Sequence, residues 1–159
     1  MRRLDVEIDL KEKSDFYSNF NEKTLNPKVR DYIINELVGY DVKYNVTLKI
    51  KSAEKLSNTD KEMFEKVIKK EFKECIIETN DEIRASNIQK IILFSLGILC
   101  LVLSYTLLNL LGDIISELLL IFGWLGLYEA VYTILFADLG MVRKLKRLKQ
   151  ISKAEIEFI

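Results

Sequence analysis

Residues Leu118–Gly140 read LLLIFGWLGLYEAVYTILFADLG, an apolar segment of membrane-spanning length with a carboxylate, Glu129, well inside it. On insertion scales a charged residue such as Asp costs about 2.5–3.5 kcal/mol at the centre of a span, so ionisable residues there usually face a bundle interior or water. Two interpretations stay open. Glu129 lines an ion path, or it is a structural group, protonated or close to the cytoplasmic interface, that hydrogen-bonds a neighbouring helix.

A second segment, IILFSLGILCLVLSYTLLNLL, precedes it at Ile91–Leu111 and consists of 21 uncharged residues. As a helix rising about 1.5 Å per residue it spans roughly 31 Å, which matches the apolar core of a bilayer. Because only residues 112–117 separate the two segments, they predict a transmembrane helical hairpin.

Basic residues lie at the outer ends of this hairpin and not in its turn. Arg84 and Lys90 precede the first segment, residues 143–149 contain five basic residues, and the charged residues of the turn are Asp113 and Glu117. Basic residues near span ends stay on the cytoplasmic side. Both termini are therefore predicted to be cytoplasmic.

The predicted organisation has five parts: a cytoplasmic α+β domain (1–87), a first transmembrane helix (88–111), an extracytoplasmic turn (112–117), a second transmembrane helix (118–138) and a basic cytoplasmic tail with a short strand (139–159). The N-terminal part is polar for about ninety residues, so no signal peptide is expected.

Composition argues against several classes of protein. The 24 basic and 24 acidic residues give zero net charge and no overall field to attract nucleic acid. The chain has no histidine, which excludes His-dependent triads and His-ligated zinc or haem. Cys75 and Cys100 are predicted in a reducing cytoplasm and in lipid, so neither suits a disulfide or a metal site. With no glycine-rich phosphate loop and no activated nucleophile, the sequence predicts a non-enzyme without metal or cofactor.

Alternation of apolar and charged residues predicts three strands: Leu4–Leu10, Val42–Ile50 and a short one at 154–158. Lys11–Leu25 has no sustained period and is interpreted as a loop. Its aromatic side chains are the candidate anchors: Phe16, Tyr17 and Phe20.

Helix signals fill the spaces between the strands. Asn26 is placed to cap a helix that Pro27 begins and Gly39 follows. Thr59–Glu62 fits a capping box for a second helix, which is predicted to run into the first span with a candidate break at residues 78–81. The cytoplasmic domain is then α+β, strand-helix-strand-helix plus a C-terminal strand. Such a small sheet leaves edges that pair with a neighbouring chain.

Each apolar segment carries a polar stripe at helical spacing. The stripe residues, which line a pore or form an interhelical polar contact, are Ser95, Thr106 and Asn109 in the first segment and Gly126, Glu129, Tyr132 and Thr133 in the second. One partner helix cannot hide both stripes, so we expect a homo-oligomer, most simply a cyclic tetramer. Gly123 and Gly126 permit the close approach of another helix.

Four lysines share one side of the second predicted helix and are candidate ligand-binding residues: Lys66, Lys69, Lys70 and Lys73. Acidic residues at i,i+4 spacing accompany them, which favours a salt-bridged, solvent-exposed surface instead. The basic amphipathic segment 143–149 is interpreted as an orientation signal that lies on anionic lipid.

Several stretches resemble a broad family of small bacterial two-span membrane proteins. The matching residues are NPKVRDYI (26–33), NVTLKI (45–50), LLIFGWLGLYEA (119–130), Phe136, Asp138 and AEIE (154–157). Relatives often carry a proline or a further acid after the aromatic-Glu pair, where this chain has Ala130 and Tyr132. The layout is also similar to the membrane effectors of the Hailong anti-phage system.

This second similarity implies an oligomeric, channel-like effector of the bacterial inner membrane. It also implies that a single-stranded DNA oligomer, made by a partner nucleotidyltransferase, holds the effector inactive. The prediction is therefore a ligand-gated channel or membrane-depolarising protein in anti-phage defence. The alternative is a non-conducting membrane anchor or adaptor that assembles a cytoplasmic partner.

Reporter fusions at Ile159 test the topology. Because the basic residues flank the hairpin, alkaline phosphatase fused there should stay inactive and green fluorescent protein should fluoresce, as expected of a cytoplasmic C-terminus. An active phosphatase fusion would contradict the two-span arrangement.

Overall fold

A computed structural model describes residues 3–18, 21–107 and 112–159. The chain divides into two compact units, and each is described separately. The first, Met1–Glu78 together with Lys144–Ile159, contains the strands and is called the sheet unit. The second, Thr79–Arg143, is called the hairpin unit.

The elements in chain order are β1 (Arg3–Leu10), a 3-10 turn (Lys13–Phe16), β2 (Tyr17–Ser18), β3 (Asn21–Leu25), α1 (Pro27–Glu36), β4 (Asn45–Ser52), α2 (Asn58–Thr106), α3 (Asp113–Tyr132), a π-helical turn (Thr133–Ala137), α4 (Asp138–Ile151) and β5 (Glu155–Phe158). The fold is mixed α/β with small sheets. Two helical stretches, α2 and the continuous stretch Asp113–Ile151, are long and apolar enough to cross a membrane, by length and composition.

β4 is the central strand of a three-stranded parallel sheet whose edges are β1 and β5. Val6 lies opposite Leu48, and Ile50 lies opposite both Ile8 and Phe158. Parallel neighbours need a long crossover connection. The first crossover contains α1. The second, from β4 to β5, contains the whole hairpin unit.

Apolar side chains on one face of this sheet form the core together with side chains of the helices. The fully buried members outside the sheet include Ile33 of α1, Leu37 directly after it, Phe64, Ile68 and Phe72 of α2, and Leu148 and Ile151 of α4. Phe16 stacks on Phe64 with ring centroids 3.9 Å apart, and Phe64 also approaches Phe158 of β5 at 6.4 Å. Full burial of a Phe side chain contributes about 1.5–3 kcal/mol, so these rings join the turn, α2 and the C-terminal strand.

The predicted strands are confirmed, but β4 begins at Asn45 and not at Val42. Asp41 accounts for the difference. Its side chain accepts a hydrogen bond from the backbone N–H of Lys43 at 3.2 Å, and its carbonyl accepts one from Tyr44 at 3.3 Å. These bonds hold residues 41–44 in a turn, so the strand begins only after them.

The interpretation of Lys11–Leu25 as a loop is wrong, because this segment contains the 3-10 turn and the antiparallel pair β2–β3. The anchoring role of Phe16 is confirmed by its complete burial. Tyr17 is half-buried and packs edge-on to Phe64 at 5.5 Å. Phe20 lies outside the described residues.

α1 begins where the sequence predicts. The Asn26 side chain accepts a hydrogen bond from the backbone N–H of Lys28 at 3.0 Å, and Pro27 is the first helical residue. Beyond its end, Gly39 has a positive φ of 100°, a conformation that favours glycine.

α2 departs from the prediction twice. The candidate break at residues 78–81 is absent, and the helix is continuous from Asn58 to Thr106 because no proline interrupts it. The capping pair is Ser57 with Asp60, and not the predicted Thr59–Glu62. Ser57 Oγ accepts from the Asp60 backbone N–H at 3.1 Å, and Asp60 Oδ2 accepts from the Ser57 backbone N–H at 2.9 Å.

This cap generates a pH-dependent prediction. Hydrogen bonds from Lys13 Nζ, at 2.8 Å, and from Ser57 lower the pKa of Asp60 from 3.8 to about 2. A lowered folded-state pKa means that the carboxylate stabilises the fold above pH 3.8, and that this stabilisation is lost as the pH falls towards 2. Asp60→Asn should therefore lower the melting temperature at neutral pH, with a difference that disappears near pH 2.

Circular dichroism of the full chain in detergent measures this difference. Asp9→Asn is the matched control, because Asp9 is exposed and forms no ion pair among the described residues. An equal loss at both pH values for Asp60→Asn would contradict the assigned role.

Candidate functional site

Within the hairpin unit, α2 and α3 pack along a seam of buried residues spaced seven apart. The seam consists of Lys90, Gly97 and Ser104 on α2 and of Ser116, Gly123 and Ala130 on α3. Ser104 Oγ donates to the carbonyl of Ser116 at 2.7 Å. Next along the seam, a Cβ placed on Gly97 would lie 3.0 Å from the carbonyl oxygen of Gly123. Seven-residue spacing with small side chains is the geometry of closely packed antiparallel helices.

The glycines of α3 therefore have the packing role that the sequence predicts. A Cβ on Gly126 would lie 3.2 Å from the Leu93 carbonyl oxygen, and one on Gly123 would lie 2.7 Å from the Leu101 side chain. Sequence reasoning missed their partner, Gly97. The available signal was a single glycine inside an otherwise bulky apolar segment.

Most of the predicted stripe residues lie away from this seam. Those with exposed side chains are Ser95, Thr106, Glu129 and Tyr132, while Thr133 is half-exposed. Gly126 is the exception, because it is half-buried against α2. Asn109 lies outside the described residues. The structure thus does not bring the two stripes together within one hairpin.

Glu129 lies on the exposed side of α3. Among the described residues its carboxylate forms no hydrogen bond or ion pair. An aromatic ladder at i,i+4 spacing runs beside it. Tyr128 and Tyr132 stack with centroids 6.2 Å apart, and Tyr132 contacts Phe136 at 5.1 Å. The arrangement places one ionisable group on an apolar, aromatic helix surface.

The helix changes from α-helical to π-helical geometry four residues after Glu129, at Thr133. The carbonyl of Glu129 accepts hydrogen bonds from both the N–H and the hydroxyl of Thr133, the latter at 2.8 Å, and the π-helical turn begins there. Thr106 similarly donates to the Val102 carbonyl at 2.9 Å. Both threonine hydroxyls thus donate their protons within their own helices. Short π-helical turns inside longer helices occur frequently at functional sites.

The lysines predicted as ligand candidates on α2 form a solvated surface. Lys69 pairs with Glu65, and Lys70 lies 3.8 Å from Glu74. Exposed pairs of this kind contribute little stability, about 0–1 kcal/mol. Lys66 and Lys73 are exposed on the same helix.

The sheet unit has two grooves that sequence reasoning did not find. One, of about 810 Å³, follows the free edge of β1 and is bordered by the start of α1. The other, of about 390 Å³, lies between the segment before β4 and the end of α4. The second groove is lined by Lys43, Lys146, Lys149 and Lys153, which we call the lysine groove. Over one hundred positions separate its two sides in the chain, so no local pattern marked it.

Comparison with protein-family models, curated proteins and solved structures gives no match to this chain. The resemblances drawn from the sequence therefore stay predictions, and function must be inferred from the residues themselves. Within the part of the chain that the structure describes, no three His, Cys, Asp or Glu residues are grouped so as to hold a metal ion.

The seam generates a prediction about stability. Gly97→Leu would force a side chain against the backbone of Gly123 and Leu127, 3.0–3.1 Å from the position of its Cβ. Overpacking of this kind costs about 1–3 kcal/mol, so the melting temperature of the full chain in detergent should fall. Gly140→Leu is the matched control, because no atom lies within 4 Å of a Cβ there. Equal melting temperatures for the two variants would contradict the packing of the seam.

Proposed function

We propose that this protein is an oligomeric effector of the bacterial inner membrane. Its hairpin units would assemble into a bundle that conducts ions or depolarises the membrane, under the control of a cytoplasmic ligand. The observation that carries this proposal is the exposed carboxylate of Glu129 on an apolar helix, away from the seam that joins the two helices.

The position of Glu129 supports assembly. A charged side chain such as Asp costs about 2.5–3.5 kcal/mol at the centre of a span, and such groups usually face other helices or water. The seam is already occupied by Lys90 and by small residues of α2 and α3, so within a bilayer Glu129 would be covered by a second copy or by an aqueous path. A closed homo-oligomer, most simply a tetramer, provides both, with a ring of carboxylates that favours cations.

The sheet supports a topology with both termini in the cytoplasm. β4 precedes the two apolar segments and β5 follows them, yet the two strands are neighbours in one sheet. Strands of one sheet share a compartment, so the chain between them crosses a membrane an even number of times. The basic residues at positions 143–149 favour the cytoplasmic side for that sheet.

The proposed role in anti-phage defence depends on the resemblance to Hailong effectors. By that analogy, a single-stranded DNA oligomer from a partner nucleotidyltransferase would keep the assembled protein closed. Its removal during infection would open the bundle and depolarise the cell.

The second candidate function is a non-conducting anchor or adaptor, and the free edge of β1 favours it. The carbonyl of Leu10 accepts a hydrogen bond from the backbone N–H of Ala53 at 3.1 Å and therefore points towards the β4 side of the strand. Backbone groups alternate in direction along a strand, so those of Glu7 point away from β4. Tyr32 donates its hydroxyl to the Glu7 carbonyl at 3.1 Å and occupies part of this edge. The rest borders the larger groove, where an extended segment of a partner protein can add as a strand.

Planar bilayer recordings of wild type and Glu129→Gln under asymmetric salt separate these functions. Glutamine keeps the shape and an acceptor but removes the charge, so we expect a shifted reversal potential or altered gating with assembly retained. Glu62→Gln, which removes an exposed carboxylate from α2 outside both apolar segments, is the matched control and should behave as wild type.

Identical conductance, reversal potential and open probability in the wild type and Glu129→Gln would contradict a pore role for this residue. Glu129 would then be a structural hydrogen-bonding group, and Glu129→Leu should weaken assembly by roughly 0.6–2 kcal/mol. A wild-type protein that assembles without any conductance would favour the anchor.

A further inference from the structure

The lysine groove brings basic side chains from two distant parts of the chain together. Lys43 belongs to the turn before β4, whereas Lys146 and Lys149 lie on α4 and Lys153 lies in the turn that follows it. Gln150 Nε2 donates to the carbonyl of Tyr44 at 2.8 Å and joins the two sides. The groove is therefore part of the folded sheet unit and not a property of one helix.

Its charge is unbalanced. Four of the ten residues that line it are lysines, and one, Glu155, is acidic. Among the described residues, none of these four ammonium groups lies within ion-pair distance of a carboxylate. The outer surface of the neighbouring sheet differs, since Lys49 and Lys51 of β4 pair there with acids of β1. Four ammonium groups and one carboxylate leave an excess of positive charge in the groove, which favours the binding of an anion.

We propose that the lysine groove binds the phosphate groups of an anionic ligand. Lysine is a flexible point charge with three donors and suits phosphate oxygens approached from several directions. A volume of about 390 Å³ falls in the range of small-molecule sites, so a phosphate-bearing group fits inside it. The phosphate belongs either to a soluble nucleotide or oligonucleotide or to the headgroup of an anionic lipid.

The inference deepens the proposed function and rests on it for one point only, namely that this ligand is the one that controls the bundle. Binding itself does not require conduction. Failure to bind would contradict the assignment of a ligand to the groove. Loss of conduction in bilayer recordings would contradict the channel function but would leave a positive binding result valid.

Amine acetylation of the full chain in nanodiscs, followed by mass spectrometry, tests the proposal at single lysines. In phosphatidylcholine discs, inorganic pyrophosphate should slow the acetylation of Lys43 and Lys149 by about tenfold, the protection expected when charge-assisted contacts form. Lys66 and Lys73 of α2 serve as internal controls and should react at an unchanged rate. Protection that occurs only in discs containing phosphatidylglycerol would identify a lipid headgroup as the source of the phosphate. Absence of selective protection in both kinds of disc would overturn the proposal.

A variant pair provides a second readout. A short fluorescein-labelled thymidine oligonucleotide is titrated in phosphatidylcholine discs and followed by anisotropy, with pyrophosphate as competitor. If the source is soluble, Lys43→Gln with Lys149→Gln should weaken binding about tenfold and reduce the slope of log affinity against log salt by roughly 1–2. Lys66→Gln with Lys73→Gln removes the same charge from outside the groove and should leave both quantities unchanged. Equal weakening by the two pairs would overturn the assignment to this groove.

Discussion

The parallel pairing of β5 with β4 is the constraint on which the rest of the structure depends. Thr47 to Ile50 of β4 lie opposite Glu155 to Phe158, at the end of the chain. A tight turn cannot connect two parallel neighbours, so the intervening chain leaves the sheet where β4 ends and must return to the side where β4 begins. Here that connection contains both apolar segments. The strand that completes the sheet, β5, thus follows the hairpin in the chain.

Within the hairpin, the small residues of the seam and the carboxylate of Glu129 lie on different helix surfaces. Apart from Lys90, the seam consists of glycine, serine and alanine, because close backbone approach requires side chains that occupy little space. Glu129 lies beside Ala130 of the seam but outside it, and the aromatic ladder of Tyr128, Tyr132 and Phe136 flanks it. One surface of α3 is therefore buried against α2, and the surface that carries Glu129 is exposed.

In the sheet unit, basic and acidic side chains likewise belong to different strands. On the solvent-exposed face, the central strand supplies lysines and the edge strands supply acids, with Lys51 bonded to Glu7 at 2.6 Å and Glu155 and Glu157 on β5. Both edges are acidic, so an added strand with basic residues is electrostatically favoured over a second copy of either edge. The lysines of the groove have no comparable partners among the described residues, which is why the groove and not the sheet face is suited to an anion.

Elements whose signals are local could be predicted from the amino-acid sequence alone. Alternation predicted β1 and β5, Asn26 and Pro27 predicted the start of α1, and two apolar segments predicted the helices of the hairpin. Tertiary packing determines which residues come together: Gly97 lies against Gly123, Phe16 stacks on Phe64, and Lys43 lines the same groove as Lys149. It also selected Ser57 with Asp60 as the cap of α2, where Lys13 from a distant turn adds an ion pair. Such contacts depend on the register of parallel strands and on helix packing, and these are set by the burial of side chains that come from separate elements, so no pattern within one element identifies the partner.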